Sequence, residues 1–449
     1  MKRKIYDELV KWKNESNGKN ALLIDGARRV GKSYIVKQFA EENYKSYILI
    51  DFNNTQDSIK QLFYDYLDNL DNFFLYLSTL TGTKLYERES LIIFDEVEMF
   101  PKARSAIKYL VEDGRYDYIE TGSLISIKEN VEDILIPSEE HHLNMYPMDF
   151  EEFVTALGNE MLLEVIRKAF EEKKPLEQGI HRTAMDYFRK YMIVGGMPQA
   201  VETFIETNDF EKVDSVKRDI LRLYQEDIGK TAAKYKIRVK NIFDKIPAEL
   251  QKHDKKFTIS SINKDARYRD YEDAVFWLSD SMIVNLAYNV TDPNIGLKLS
   301  EEYSTFKCYM GDTGLLISQA FDENGITNQE IYKKILLDKL EFNEGMIYEN
   351  IIAQMLVSSG HKLYFYSKNS TDREERMEVD FLIAKGTTTD RHNISPIEVK
   401  SSQNYTLSSL KKFTKKFSLK TSTPYVIHTG NFKEEEGITY IPSYMTYLL

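Results

Sequence analysis

The stretch ALLIDGARRVGKSYIV, residues 21–36, decides how this chain is read. ALLID is a compact apolar run that stops at Gly26. Such a run reads as a strand buried on both faces of a parallel sheet. GARRVGKS, residues 26–33, fits G-x-x-x-x-G-K-[ST]. The glycines let the loop curl until successive backbone N–H groups point inward and cradle phosphates. Lys32 brings a flexible cation to the β- and γ-phosphates, and the Ser33 hydroxyl is placed to ligate Mg²⁺. The helical period that follows turns a helix N-terminus toward the same anion. The spacing therefore predicts a nucleotide site built from Gly26, Ala27, Arg28, Arg29, Val30, Gly31, Lys32, Ser33 and Tyr34, with ATP and Mg²⁺ as ligands.

Outward from this loop, strands and helices alternate. A second strand is expected over residues 44–52, helix over 56–80, a third strand at LIIFDE (91–96) and a fourth at YDYIETGS (116–123). That alternation predicts an α/β, doubly wound parallel sheet with helices on both faces. LIIFDE ends in two carboxylates. Beside a phosphate loop, Asp95 is expected to hold Mg²⁺ and Glu96 to act as the general base on the attacking water. Thr121 or Ser123, at the end of the neighbouring strand, is expected to sense the γ-phosphate.

At 449 residues the chain exceeds one ordinary domain, since about 150 residues per domain is usual. Hydrophobic content of 42% and charged content of 29% suit a globular protein with real cores. The net charge of −11 argues against coating nucleic acid along the whole chain. The single cysteine, Cys308, excludes an internal disulfide and a cysteine-based zinc site, and a reducing cytoplasm is the expected setting. The basic start, MKRKIYDELVKW, is not followed by the apolar core of a signal peptide. No run of about 18 apolar residues occurs, so no membrane span is expected.

The series GARRVGKS, IIFDEVE, ETGSL and MYPMDFEEF (145–153) resembles a bacterial and archaeal family of AAA+-related ATPases, akin to archaeal and STAND ATPases. Members carry the ATPase domain first and an endonuclease-like domain last, and the resemblance covers nearly the whole chain. By that resemblance Arg28 matches an arginine often found inside the loop, and Lys32, Ser33, Asp95 and Glu96 match nucleotide-site positions. Two departures stand out. Glu98 occupies a position where the family often has Gln, and ILIPSEEHH (134–142) lacks the Gly-Arg pair many members carry there. No arginine finger is assigned.

The expected domains are an ATPase domain (1–150), a helical lid (151–230) broken at GGMP (195–198), a winged-helix-like region (231–325) and an endonuclease-like α/β domain (336–449). In the winged-helix reading, a helix over about 237–252 leads to a second helix at Ser260 or Ser261, and KLSEEYSTFKCYMGDTGLL (298–316) supplies the wing. Residues 230–256 hold nine basic residues (Lys230, Lys234, Lys236, Arg238, Lys240, Lys245, Lys252, Lys255 and Lys256) against three acids. Charge on that scale can neutralise phosphates. The alternative is a solvated helix face.

Near the C-terminus a helix over about 338–359 carries Glu349, EVDFLIA carries Asp380, and PIEVKS carries Glu398 and Lys400. Strand alternation puts Glu398 and Lys400 on one face, with Val399 buried opposite. Glu-x-Lys alone carries no signal, but the order helix–strand–strand is that of the PD-(D/E)xK fold, which the resembled family also shows. Asp380 and Glu398, with Glu349 as an outer ligand, are expected to bind a second Mg²⁺. Lys400 is expected to activate the attacking water. SLKKFTKKFSLK (409–420) places Lys411, Lys412, Lys415, Lys416 and Lys420 to grip a phosphodiester backbone. Three functions follow: an ATPase acting on nucleic acid with a nuclease-like domain; a nucleotide switch that engages a protein partner, its oligomer state set by nucleotide, with a fold that no longer cuts; or a DNA-binding regulator that uses the winged helix, with ATP only as a structural ligand.

Overall fold

The computed structural model describes residues 1–123, 138–231, 236–294, 296–321, 329–337, 344–384, 393–402 and 404–449. The chain forms two compact units, Met1–Tyr146 and Pro147–Leu449.

The first unit is a five-stranded sheet. Its strands are β1 (Ala21–Asp25), β2 (Ser46–Asp51), β3 (Ser90–Asp95), β4 (Asp117–Gly122) and β5 (Glu140–Asn144), in the order β2-β3-β4-β1-β5. Every pairing is parallel, as expected for a P-loop sheet. All residues of β1, β3 and β4 are buried, which is why their sequences read as continuous apolar runs rather than alternating ones. Helices α1 (Ile5–Ser16), α2 (Lys32–Asn43), α3 (Asp57–Asp65), α4 (Leu70–Thr81) and α5 (Pro101–Asp113) accompany the sheet. The core behind β2 and β3 is aromatic: Phe52 meets Phe100 at 5.2 Å between ring centroids, and Phe63 meets Phe73 at 5.1 Å, edge to face. β5, sequence EHHLN, was not foreseen. It is a polar edge strand paired only to β1, so it carries neither an apolar run nor a clean alternation.

The second unit begins with helices α6 (Phe150–Ala156), α7 (Glu160–Glu171), α8 (Gln178–Val194), α9 (Pro198–Thr207) and α10 (Phe210–Thr231). The break between α8 and α9 falls at GGMP, as its sequence predicts. Gly195 adopts φ 80°, and an added Cβ there would stand 2.3 Å from the Asp312 carboxylate. Next come α11 (Lys236–Gln251), α12 (Tyr268–Asp280), α13 (Thr313–Ala320), α14 (Gln329–Leu336), α15 (Glu344–Ser358) and, later, α16 (Ser408–Lys416).

A mixed eight-stranded sheet fills the rest. It comprises β6 (Val284–Val290), β7 (Glu301–Met310), β8 (Tyr364–Lys368), β9 (Met377–Ala384), β10 (Ile394–Lys400), β11 (Tyr425–His428), β12 (Lys433–Glu435) and β13 (Ile438–Pro442). The order is β12-β13-β11-β10-β9-β8-β6-β7.

This sheet corrects two expectations. The β6–β7 hairpin is not the wing of a separate module, because β6 pairs in parallel with β8 and so extends the C-terminal sheet. Residues 259–261 form only a 3-10 turn, and the next helix starts at Tyr268. The middle and C-terminal regions therefore share one sheet.

Buried polar groups lock that unit together. The Asn350 amide bonds both backbone groups of Met310, and Gln354 Oε1 accepts from the Thr313 N–H at 2.7 Å. Asp312 accepts from the N–H groups of Leu315 and Gly196. Gly196 in turn touches Met148: an added Cβ would meet the Met148 carbonyl oxygen at 2.1 Å and its nitrogen at 2.8 Å. Backbone cannot yield as a flexible side chain does. Gly196→Ala is expected to destabilise by about 1–3 kcal/mol through overpacking, measured as a lower urea midpoint with the slope unchanged.

Candidate functional site

The carboxyl ends of β1, β3 and β4 face one edge of the parallel sheet, the side where open α/β sheets hold ligands. The loop from Gly26 to Gly31 leaves β1 there and runs into α2. Arg29 and Gly31 take left-handed backbone, φ 70° and 98°. Gly26 has no room for a side chain, since a Cβ would stand 2.4 Å from the Met145 carbonyl oxygen. Lys32 is buried and donates to the carbonyls of Gly26 at 2.7 Å and Ala27 at 3.1 Å. Burial pushes its pKa down, against the pull of Glu96, Glu98, Asp25 and Asp95. Tyr34, in the first turn of α2, is exposed.

The Ser33 hydroxyl donates to Asp95 Oδ1 at 2.8 Å, and the Thr121 hydroxyl donates to the same oxygen. The strand order permits this, because β4 lies between β1 and β3. Two oxygen donors that suit Mg²⁺, one from the loop and one from the acidic strand, thus converge across β4. Glu96 follows in left-handed backbone, φ 52°, a conformation uncommon outside glycine. Ser123 is engaged from the acidic strand's turn: its N–H and hydroxyl lie 3.2 and 3.3 Å from Glu98 Oε1. Burial and the neighbouring Glu96 carboxylate push Glu98 up to about 8.

Two further supports of the loop escaped the sequence reading. Arg3, near the chain start, donates to the carbonyls of Val30 (2.9 Å) and Tyr146 (2.7 Å). Only the basic character of MKRK hinted at it. Behind the loop, Asp25 meets His142 Nδ1 at 3.2 Å, and His142 Nε2 meets Glu140 at 3.4 Å. Glu140 is also held by a two-pronged contact from Arg104, at 3.1 and 2.9 Å.

The C-terminal residues are brought together, but around a lysine. Lys307 of β7 is wholly buried, 3.1 Å from both Glu349 and Glu378 and 3.6 Å from Asp380. Glu349 also receives Lys255 and the Tyr309 hydroxyl. Asp380 accepts from the Val399 N–H at 2.9 Å, and Lys400 bonds Glu398 at 2.7 Å. Glu398 and Lys400 share a face as expected, whereas Val399 is only half-buried. Among the described residues no group of three or more His, Cys, Asp or Glu side chains is arranged to hold a metal ion.

In the basic segments seven lysines contact groups of the same unit, while Lys236, Arg238 and Lys240 are exposed. Lys252 pairs with Glu249, Lys255 with Glu349, and Lys256 with Asp254. Lys411 pairs with Glu436, Lys416 with Glu375, Lys420 with Asp292, and Lys412 donates to the Arg373 carbonyl. Lys234, the side chain of Lys230, and residues 134–137 and 338–343 lie outside the described residues. Among the described residues no helix is long and apolar enough to cross a membrane.

Comparison with known proteins agrees with the first unit. Residues 18–154 match a family described as AAA domain. Residues 185–329 and 344–445 each match a domain of unknown function. No curated protein matches the chain. Among solved structures, a Walker-type ATPase of Pyrococcus abyssi is 15% identical, with TM-score 0.41, covering 71% of this chain and 95% of that one. The ORC1 protein of Aeropyrum pernix, solved in complex with DNA, is 10% identical, with TM-score 0.29 and coverage of 72% and 93%. A STAND protein of Pyrococcus horikoshii with a tetratricopeptide repeat sensor is 11% identical, with TM-score 0.29 and coverage of 79% and 48%. Likenesses this distant say nothing about what this chain does. The match over residues 18–154 and the parallel sheet agree on a P-loop domain similar to the AAA type.

His142 offers a test of the loop's support. Hydrogen bonds to Asp25 and Glu140 raise it from 6.5 to about 9. Its stabilising charge is fully present below about pH 6.5 and is lost as pH rises through about 9. The imidazole is partly exposed, so screening keeps the effect small. His142→Gln is expected to lower Tm at pH 6, with the gap from the native protein closing above pH 9.

Proposed function

We propose that this chain is a Mg²⁺-dependent ATPase that works as a nucleotide switch for a protein partner. The observation that carries the ATPase reading is the 2.8 Å contact between Ser33 and Asp95 at the end of the parallel sheet. In this reading Ser33 and Asp95 hold Mg²⁺, which when bound with ATP screens the phosphate charge and polarises the γ-phosphoryl group. Thr121, bonded to Asp95, orients that carboxylate. Lys32 and the loop N–H groups of residues 26–33 bind the phosphates, with Arg28 inside the loop and Tyr34 just after it. Glu96 takes the proton from the attacking water. Glu98 ties Ser123 to the turn that carries Glu96, so Ser123 is the better placed γ-phosphate sensor.

Action on nucleic acid draws less support. Seven of the lysines on which it rested (Lys252, Lys255, Lys256, Lys411, Lys412, Lys416 and Lys420) already satisfy acids or carbonyls of the same unit. Binding phosphates with them would first break those contacts. The helix–strand–strand–strand–helix–strand order from α15 to β11 supports the endonuclease-like fold.

Phosphate release from ATP tests the reading. Lys32→Ala is expected to abolish turnover. Glu96→Gln is expected to retain ATP binding and to slow turnover by about 10²-fold or more, the usual worth of a positioned base. Equal turnover in Glu96→Gln removes Glu96 from this role. Glu98→Gln keeps an acceptor for Ser123 and mimics the protonated acid, so its turnover is expected to match the native protein at pH 7. Single- or double-stranded DNA or RNA is expected to leave turnover unchanged. Strong stimulation would return the weight to a nucleic-acid machine.

A further inference from the structure

The carboxylates that resemble a nuclease metal site do not fit a metal. Mg²⁺ takes oxygen ligands at about 2.0–2.1 Å and needs its centre free of competing cations. Here the centre is an ammonium group. Lys307 reaches in from β7, its side chain without solvent exposure, and contacts Glu349, Glu378 and Asp380. Lys255 takes the other oxygen of Glu349, and Lys400 takes Glu398. Lys256 lies 3.9 Å from Glu378. Each of these carboxylates thus already has an ammonium partner, and Lys256 is shared with Asp254. A divalent cation entering the cluster would have to displace Lys307 and strand a buried charge, the costly way to break a buried ion-pair network.

The position of Lys307 makes this more than a side chain filling space. Glu-x-Lys sites carry their lysine on the same strand as the glutamate, and Lys400 satisfies that pattern. Lys307 is an additional cation from a strand outside the helix–strand core, delivered by the β6–β7 hairpin that joins the sheet through β8. Burial pulls its pKa down, yet Glu349, Asp380 and Glu378 hold it well above its ordinary value. Glu349 in turn is held down at about 2, burial being outweighed by Lys255 and Lys307.

We infer that Lys307, with Lys255, permanently takes the place of a divalent cation in this carboxylate cluster, which makes the endonuclease-like region a metal-free, non-cutting scaffold. The inference is independent of the ATPase reading, because all its residues lie in the second unit.

Mn²⁺ is the probe, and the full-length chain without nucleotide is the sample. Bound Mn²⁺ is counted by electron paramagnetic resonance in the native protein and in Asp380→Asn. The stoichiometry is expected to be the same in both. A site present in the native protein and lost in Asp380→Asn overturns the inference. So does Mn²⁺-dependent cleavage of plasmid by the native protein that Lys400→Ala abolishes. Removing the built-in cation supplies the positive arm. Lys307→Met leaves the carboxylates facing one another, so its Tm is expected to fall and Mn²⁺ to restore part of the loss, with no such shift in the native protein. A lowered Tm that Mn²⁺ leaves unchanged counts against the inference. Should Lys307→Met fail to fold, the Mn²⁺ count and the cleavage assay on the native protein still decide.

Discussion

An ammonium group without access to water must be surrounded by negative charge, and much of the second unit is arranged around that demand. Lys307 lies at the inner end of β7. Its partners come from α15 and β9, and a second lysine arrives from the segment after α11. Breaking such a network from one side strands the remaining charges, which costs several kcal/mol in typical buried pairs, about 3–5. Each element is thereby committed to the others. The same helix that brings Glu349 also brings Asn350 and Gln354 to the backbone at residues 310–313. The fusion of middle and C-terminal regions into one unit follows from polar matching as much as from the apolar core.

The first unit depends on a different constraint. Its three central strands are wholly buried, and the polar groups of the nucleotide site stand where those strands end. Asp25, Asp95 and Thr121 stand at the carboxyl ends of β1, β3 and β4, and the loop after β1 curls over them. Gly26 lies hard against the Met145 carbonyl, which leaves the loop little freedom of path. The Arg3 contact to Val30 and the His142 contact to Asp25 hold the loop's far side and its root. Both supports come from residues distant in sequence, and neither belongs to the phosphate-binding motif itself.

The legibility of these parts differed for physical reasons. β1 and β3 were read to within a residue of their ends, because strands buried on both faces must be apolar throughout and must stop where the loop begins. The pairing of β4 with β3 was also expected, since it places Thr121 beside Asp95. β5 was missed because an edge strand with one partner needs no apolar pattern. The helix expected at Ser261 is a 3-10 turn. A helix-start signal marks only where a chain can turn, and the backbone hydrogen bond from Phe257 to Phe306 takes this segment along the sheet instead.

The chain's residues by themselves determined the phosphate loop, its acidic partner strand and the parallel sheet, because each of these is local: a run, a spacing, a strand end. They also named Glu349, Asp380, Glu398 and Lys400 as one group. What they left undecided was the charge at the middle of that group. Lys307 lies 42 positions from Glu349 in sequence and carries no motif. Only the pairing of β6 with β8 brings β7 into the sheet and its lysine to the carboxylates. Whether a carboxylate cluster holds a metal or a lysine depends on which cation the fold delivers to it, and that is settled by strand order rather than by any local pattern.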